Sequence, residues 1–220
     1  MAEDTVFDLD KLASRMNDYF PLIKNHEERC AQWFTGAGLG MFIHWDHTSA
    51  QGIEISWPMV GGVFALPGGK TVTVEEYHSI DIRPTKATST TFNPTQWNPQ
   101  EIAKLAKEAG MAYVVFTSKH HNGWASWPSK YGDRNITSSP YGKNGGDILR
   151  GYVDAVRAAG LKVGVYYSLS DWGHEDYLAW KDEYRPYVFG ESSPMGTPEQ
   201  WERYRQYLKN HLTEILTEYG

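Results

Sequence analysis

The chain has 220 residues, 40% of them hydrophobic and 22% charged, which is typical of one globular domain with a sizeable core. Its net charge is −6 and its Lys and Arg residues are scattered, which argues against a nucleic-acid partner. The single cysteine excludes an intrachain disulfide and a cysteine-based metal site. The 9 Trp and 14 Tyr residues offer flat faces that stack on sugar rings, so we expect a neutral small-molecule ligand.

The first residues carry helical spacing. Apolar residues recur at this spacing from about Leu9 to Phe34, with an interruption at Pro21, and predict a helical lead-in over residues 1–35. The acidic start lacks the basic and apolar regions of a secretory signal. The compartment therefore stays open, with the cytoplasm expected if this start is native. No apolar run approaches the length of a membrane span, so we expect no membrane partner.

A short buried strand and a long loop follow. The stretch from Gly36 to Trp45 predicts a strand that ends in His44 and Trp45. From Asp46 to Asn98 the chain is punctuated by Gly and Pro, and a loop this long inside a compact domain is usually functional. We expect it to cover the carboxyl end of the first strand.

The next segments repeat one order of elements. Residues 98–101 predict a capped helix start and Gly110 its end, followed by a strand from Tyr113 to Phe116 buried on both faces. A second helical stripe stops at Gly160, and residues 161–168 predict the next strand. Residues 197–200 form another capping box, before an amphipathic stripe that runs to Gly220.

Regular alternation of strands and helices predicts parallel βαβ units. Three such units over residues 36–220 would make about half of an α/β (β/α)₈ TIM-like barrel, truncated before the fourth strand. A doubly wound sheet is the alternative. The long loops after the strands favour the barrel.

Polar side chains gather at the predicted strand ends. Tips of adjacent parallel strands lie roughly 5 Å apart, so these residues should share one pocket, although each could instead close a barrel layer. A zinc site is disfavoured because His120 and His121 are successive on a strand and begin on opposite faces. A serine triad lacks its Gly-x-Ser-x-Gly motif. We favour a pocket of neutral donors and acceptors for a polyhydroxylated ring, drawn from His44, Glu54, His120, His121, Tyr166 and Asp171.

Three motifs carry a family resemblance. The strings at residues 40–45, 113–123 and 164–172 resemble those of the α-L-fucosidases of glycoside hydrolase family 29, and the similarity runs from about residue 33 to the end. The departures from the family pattern include Asp46 in place of a usual Gly and Asn122 in place of a common Asp.

The resemblance implies a retaining glycosidase on a (β/α)₈-like barrel, acting on a fucoside or fucosylated glycan without metal or organic cofactor. It also implies a pocket for the fucose ring. The pocket would be lined by His44, Glu54, His120, His121 and Tyr166, with Trp45 and Trp57 as stacking walls.

The resemblance places the catalytic pair outside this chain. An Asp nucleophile and a Glu acid/base are expected beyond Gly220, and we interpret Asp171 as a residue at the rim of the pocket. The chain alone is then expected to be inactive and poorly stable, because an open half-barrel exposes strand edges. The alternatives are a catalytically silent fucose-binding protein, a half-barrel subunit that needs a partner chain or a second copy, and a barrel hydrolase acting on another sugar.

Overall fold

In the computed structural model, the described residues form a three-stranded parallel sheet. The strands are β1 (Gly40–Ile43), β2 (Tyr113–Lys119) and β3 (Lys162–Tyr167), in the order β1-β2-β3. The helices are α1 (Pro99–Glu108), α2 (Pro140–Lys143), α3 (Ile148–Ala158) and α4 (Pro198–Glu218). Short 3-10 turns cover Ser49–Gln51 and Ile136–Ser138.

The structure describes residues 33–34, 36–51, 55–56, 92–172, 174–177 and 197–220. Nearly all of the predicted lead-in over residues 1–35 and much of the loop after β1 lie outside these ranges. Among the described residues, strands and helices alternate as predicted, which is consistent with part of a barrel.

The predicted helix ends are confirmed. The Asn98 side chain accepts a hydrogen bond from the Glu101 amide at the start of α1. At the start of α4, Thr197 and Gln200 form a complete capping box. Gly110 and Gly160 follow α1 and α3 with φ of 75°, a left-handed conformation that closes a helix at little steric cost with glycine.

One face of the sheet, the helix face, packs against α1 and α3. It carries Val114 and Phe116 of β2, both fully buried, and the neighbouring strands add Met41, Ile43, Val163 and Val165 to the same core. Tyr152 of α3 lies beneath the sheet, where its one hydroxyl hydrogen is shared between the carbonyl oxygens of Val114 at 2.6 Å and Gly164 at 2.9 Å. The helix face therefore packs into a closed hydrophobic core.

The opposite face, the open face, carries the residues that alternate with these, namely Phe42, Val115, Gly164 and Tyr166. On this face, Phe42 of the edge strand β1 is 52% exposed. Burial of β2 on both faces was therefore wrong for Tyr113 and Val115, which are only half-buried. The strand also continues beyond the predicted end at Phe116 to Lys119.

The long helix α4 is buried along most of its predicted amphipathic stripe, with one exception. Tyr204 and Ile215 are buried as expected, whereas Leu216 is 72% exposed. Glu214 is buried instead, and its carboxylate accepts from Trp127 Nε1 at 3.0 Å and Ser129 Oγ at 2.7 Å. A polar anchor thus attaches α4 to the loop after β2. No helix in the described part of the chain is long and apolar enough to cross a membrane.

Candidate functional site

The carboxyl ends of the three strands place three side chains in one row. The register pairs Ile43 with Phe116, and Thr117 with Tyr166, so His44 lies beside Thr117. His44 Nδ1 is 2.8 Å from Thr117 Oγ1, and the His44 and Tyr166 ring centroids are 5.8 Å apart. Parallel pairing therefore brings the predicted His44 and Tyr166 together across the width of the sheet.

His120 and His121 join this row from the turn after β2. Their ring centroids are 4.3 Å apart, and His120 lies 5.3 Å from His44 and 5.9 Å from Tyr166. The expectation that the two imidazoles begin on opposite faces was wrong, because the strand ends at Lys119 and the chain turns. We call His44, His120, His121 and Tyr166 the imidazole cluster.

The turn depends on Gly123. Its amide donates to the His120 carbonyl oxygen at 3.0 Å, and its φ is 76°. A Cβ at this position would collide with the Asp171 carboxylate and the Arg134 guanidinium. Only glycine therefore suits this turn sterically and conformationally.

Each imidazole of the cluster is held at Nδ1 by a hydroxyl group. Thr117 contacts His44, Ser56 contacts His120 and Ser168 contacts His121. All three hydroxyl-bearing residues are buried. The sequence analysis assigned no role to them, and the only sequence signal is that Thr117 and Ser168 stand at strand ends.

Burial keeps the two central imidazoles neutral. It lowers the pKa of His120 to about 3, with a further contribution from the neighbouring His121. Burial and the Lys119 ammonium lower the pKa of His121 to about 4. At neutral pH each ring therefore carries one N–H donor and one nitrogen acceptor.

Asp171 does not lie at the rim of the pocket, and the interpretation of it as a rim residue was wrong. Its side chain is fully buried and accepts from both terminal nitrogens of Arg134, at 3.1 and 3.2 Å. The Lys119 ammonium lies 3.6 Å from it. Burial alone would raise the pKa of Asp171, but these two cations hold it at about 2.

This buried ion cluster supports the turn that carries His121. Lys119 Nζ donates to the Ser168 carbonyl oxygen at 3.2 Å, and the Trp172 amide donates to the His121 carbonyl oxygen at 2.7 Å. Arg134 also donates to the Asn122 carbonyl oxygen at 3.1 Å. The cluster therefore ties the end of β2 to the segment after β3.

Asp46 and Asn122 form a second buried connection, between the segment after β1 and the turn after β2. Asn122 Nδ2 donates to the Asp46 carboxylate at 2.7 Å, and the Asn122 amide donates to Ser56 Oγ at 3.0 Å. The Asn122 side-chain oxygen accepts from the Trp124 amide at 3.0 Å. The two departures from the family pattern are thus direct partners.

Of the remaining predicted site residues, Trp45 stacks on Trp97 with ring centroids 4.6 Å apart and planes 9° apart. Glu54 and Trp57 lie outside the described residues. Within the described ranges, no three His, Cys, Asp or Glu side chains are grouped closely enough to hold a metal ion.

A cavity of about 920 Å³ adjoins His44 between the end of β1 and α1. Its walls include Trp45, Trp97 and Leu105. Of the imidazole cluster, only His44 is among the described residues that line this cavity.

A comparison with known families decides the identity. The family model described as Alpha-L-fucosidase matches residues 9–220. The chain belongs to the α-L-fucosidase family. The resemblance seen in the sequence motifs is confirmed, and the family places the chain among the glycoside hydrolases.

Individual α-L-fucosidases show the same likeness. The tissue alpha-L-fucosidase of Bos taurus is 36% identical over 152 residues, covering 66% of this chain and 31% of the relative. The solved structure of alpha-L-fucosidase isoenzyme 1 from Paenibacillus thiaminolyticus aligns with a TM-score of 0.65 and 33% identity, covering 88% of this chain and 41% of that chain.

A third likeness is to a family 29 α-L-fucosidase from Bacteroides thetaiotaomicron, trapped as a covalent intermediate with 2-fluoro-fucosyl fluoride. Its TM-score is 0.60 at 30% identity, over 86% of this chain and 38% of that chain. The present chain spans only 22% to 32% of the length of the first curated relatives.

Proposed function

We propose that this chain is the sugar-recognition half of a retaining α-L-fucosidase, which hydrolyses terminal α-L-fucosyl bonds in the complete protein. The observation that carries the proposal is the convergence of His44, His120, His121 and Tyr166 at the carboxyl end of the sheet. In barrels this end of the sheet binds the substrate. Membership of the α-L-fucosidase family supports fucose as the sugar.

The chemistry of the cluster suits a deoxysugar. Two neutral imidazoles and a phenol offer donors and acceptors to ring hydroxyls, and they do so without a charge that would have to be desolvated. Glu54 would add a carboxylate acceptor, and Trp45 and Trp57 would provide apolar walls. No step of this recognition requires a metal or an organic cofactor.

The complete fold would be a (β/α)₈ barrel with this chain as its amino-terminal half. The exposure of Phe42 supports the proposal, because further strands would cover the open face. Since β2 lies between β1 and β3, each outer strand is paired on one side among the described residues. The other side of each would pair with strands of the second half.

Catalysis would depend on the missing half. Retaining hydrolysis requires two carboxyl groups about 5 to 5.5 Å apart. Asp46 and Asp171 are the described carboxylates bonded into the turn beside the cluster, and both are engaged by buried partners. This engagement supports the proposal that the Asp nucleophile and the Glu acid/base come from outside the described residues.

The test compares this chain with the complete protein. We expect the complete protein to release nitrophenol from nitrophenyl α-L-fucoside, and the 220-residue chain to bind L-fucose in a thermal-shift assay without turnover. His120→Gln should abolish that thermal shift. Turnover by the isolated chain would overturn the assignment of the catalytic pair, and protection by other sugars but not fucose would overturn the substrate.

A catalytically silent fucose-binding protein, or a half-barrel subunit with a partner chain, is the second candidate. It is favoured by the structural engagement of Asp46 and Asp171, because neither carboxylate is available to a glycosidic bond. Fucose binding by a complete protein that never releases nitrophenol would support it. Sedimentation of the chain would then separate a lone binder from a subunit that pairs with a second copy.

A further inference from the structure

The hydrogen bonds of Ser168 determine which nitrogen of His121 carries its hydrogen. Ser168 Oγ donates its only hydrogen to the Ser170 carbonyl oxygen at 2.9 Å and accepts from the Ser170 amide at 3.1 Å. With the single hydroxyl hydrogen on this carbonyl oxygen, which can only accept, the contact with His121 Nδ1 is one in which the imidazole donates. His121 is therefore the Nδ1–H tautomer, and its Nε2 is an acceptor.

The contacts of Ser56 favour the opposite tautomer for His120. Its oxygen accepts from the Asn122 amide at 3.0 Å. Among the described residues, the one acceptor in reach of the Ser56 hydroxyl hydrogen is His120 Nδ1. The hydroxyl therefore donates to this nitrogen, and the hydrogen of the neutral ring lies on Nε2.

We propose that Ser56 and Ser168 are positioning residues that hold His120 and His121 in opposite neutral tautomers. The two rings, with centroids 4.3 Å apart, then present one hydrogen-bond donor and one acceptor side by side. This arrangement matches two neighbouring hydroxyl groups, one of which donates while the other accepts. The tautomers follow from this chain's own contacts, and only the choice of sugar rests on the proposed function.

The low pKa values of His120 and His121 agree with this arrangement. A doubly protonated ring would have two donors, and the difference between the two imidazoles would disappear. Buried hydroxyl partners on both sides also restrict ring flips, because Ser56 and Ser168 are almost fully enclosed.

The direct test is long-range ¹H–¹⁵N NMR of the ¹⁵N-labelled 220-residue chain at neutral pH without sugar. His120→Gln and His121→Gln variants assign the two sets of ring signals. We expect His121 to be protonated at Nδ1 and His120 at Nε2. The same tautomer in both rings, or a doubly protonated ring, would overturn the proposal whether or not the chain binds fucose.

Variants locate the cause of the difference. Ser168→Ala should return His121 to the Nε2–H form, which a free neutral imidazole prefers in water, whereas Ser168→Thr should keep Nδ1–H. The matched control is Ser126→Ala, since the Ser126 hydroxyl is buried and has no hydrogen-bond partner among the described residues. It should leave both tautomers unchanged, and an unchanged His121 in Ser168→Ala would remove Ser168 from the proposal.

Sugar affinity gives the final readout. Ser168→Ala should weaken L-fucose binding about tenfold. In this variant His121 Nε2 carries a hydrogen and can no longer accept from the sugar hydroxyl. Ser168→Thr and Ser126→Ala should bind within about twofold of the original chain. Opposite tautomers without fucose binding would overturn the proposed function alone, whereas full affinity in Ser168→Ala would overturn the role of this serine in recognition.

Discussion

The two faces of the sheet are built by the same three strands but differ in completeness. The helix face is closed by α1 and α3 and contains fully buried residues such as Phe116. The open face carries Phe42, which is half exposed. At the carboxyl end of this face, the Phe42 ring lies beside His44 of the imidazole cluster. The packed core of the described chain thus lies on one face, while the residues proposed to recognise the sugar lie at the end of the other.

The largest expected effect comes from deleting the same side chain on each face. Phe116→Ala should lower the free energy of unfolding by about 3 to 5 kcal/mol, because it leaves a cavity in the packed core. Phe42→Ala should cost less than about 1 kcal/mol, since half of that ring is already in water. Urea denaturation of the two variants measures both, and equal losses would mean that the open face is covered in solution.

A smaller effect is expected from the connection beside the site. Asn122→Asp would place a carboxylate against the buried Asp46 and should cost about 2 to 3 kcal/mol. Adding Asp46→Asn reverses the two roles, so the double variant should recover most of the loss. Thermal unfolding of the single and double variants tests this. A double variant as unstable as Asn122→Asp would show that repulsion between residues 46 and 122 does not cause the loss of stability.

Removal of one hydroxyl from each face sharpens the comparison further. Tyr152→Phe loses the hydrogen bond shared between two strands and should cost about 1 to 2 kcal/mol. Tyr166→Phe should change the free energy of unfolding by less than about 0.5 kcal/mol, because its hydroxyl bonds to no described residue. Tyr166→Phe should instead weaken fucose binding, and calorimetric titration beside urea denaturation separates the two effects.

The mildest perturbation is acid. His120 and His121 have pKa values of about 3 and 4 in the folded chain, below the 6.5 of an ordinary histidine. Between pH 6.5 and about 4 the unfolded chain therefore binds more protons, and stability should fall as the pH is lowered through this window. His121→Gln should flatten this part of a stability–pH curve, whereas an unchanged slope would exclude a contribution from His121.

Sequence reasoning succeeded where a local signal specifies a local structure. Helices start at Asn98 and Thr197 and end before Gly110 and Gly160, as predicted. Caps can be read from the sequence because they depend on residues only a few positions away. The parallel order of the sheet followed from alternation. The convergence of His44 and Tyr166 followed in turn, because parallel strands align their carboxyl ends.

It failed where distant contacts decide. Asp171 looked like a rim residue because its two cationic partners, Lys119 and Arg134, are 52 and 37 positions away in no pattern that the sequence reveals. The burial of Glu214 in the interface of α4 was not predicted for the same reason, since its partner Trp127 is distant in sequence. The hydroxyls that hold the imidazoles could not be distinguished from ordinary serines without coordinates.

The steric demand at Gly123 has a consequence for engineering. Since a methyl group there would strike both members of a buried ion pair, a loop library that randomises residues 120–123 would lose most of its members to misfolding. Exchange of this loop with that of another protein would have to transfer Lys119, Arg134 and Asp171 together with the loop.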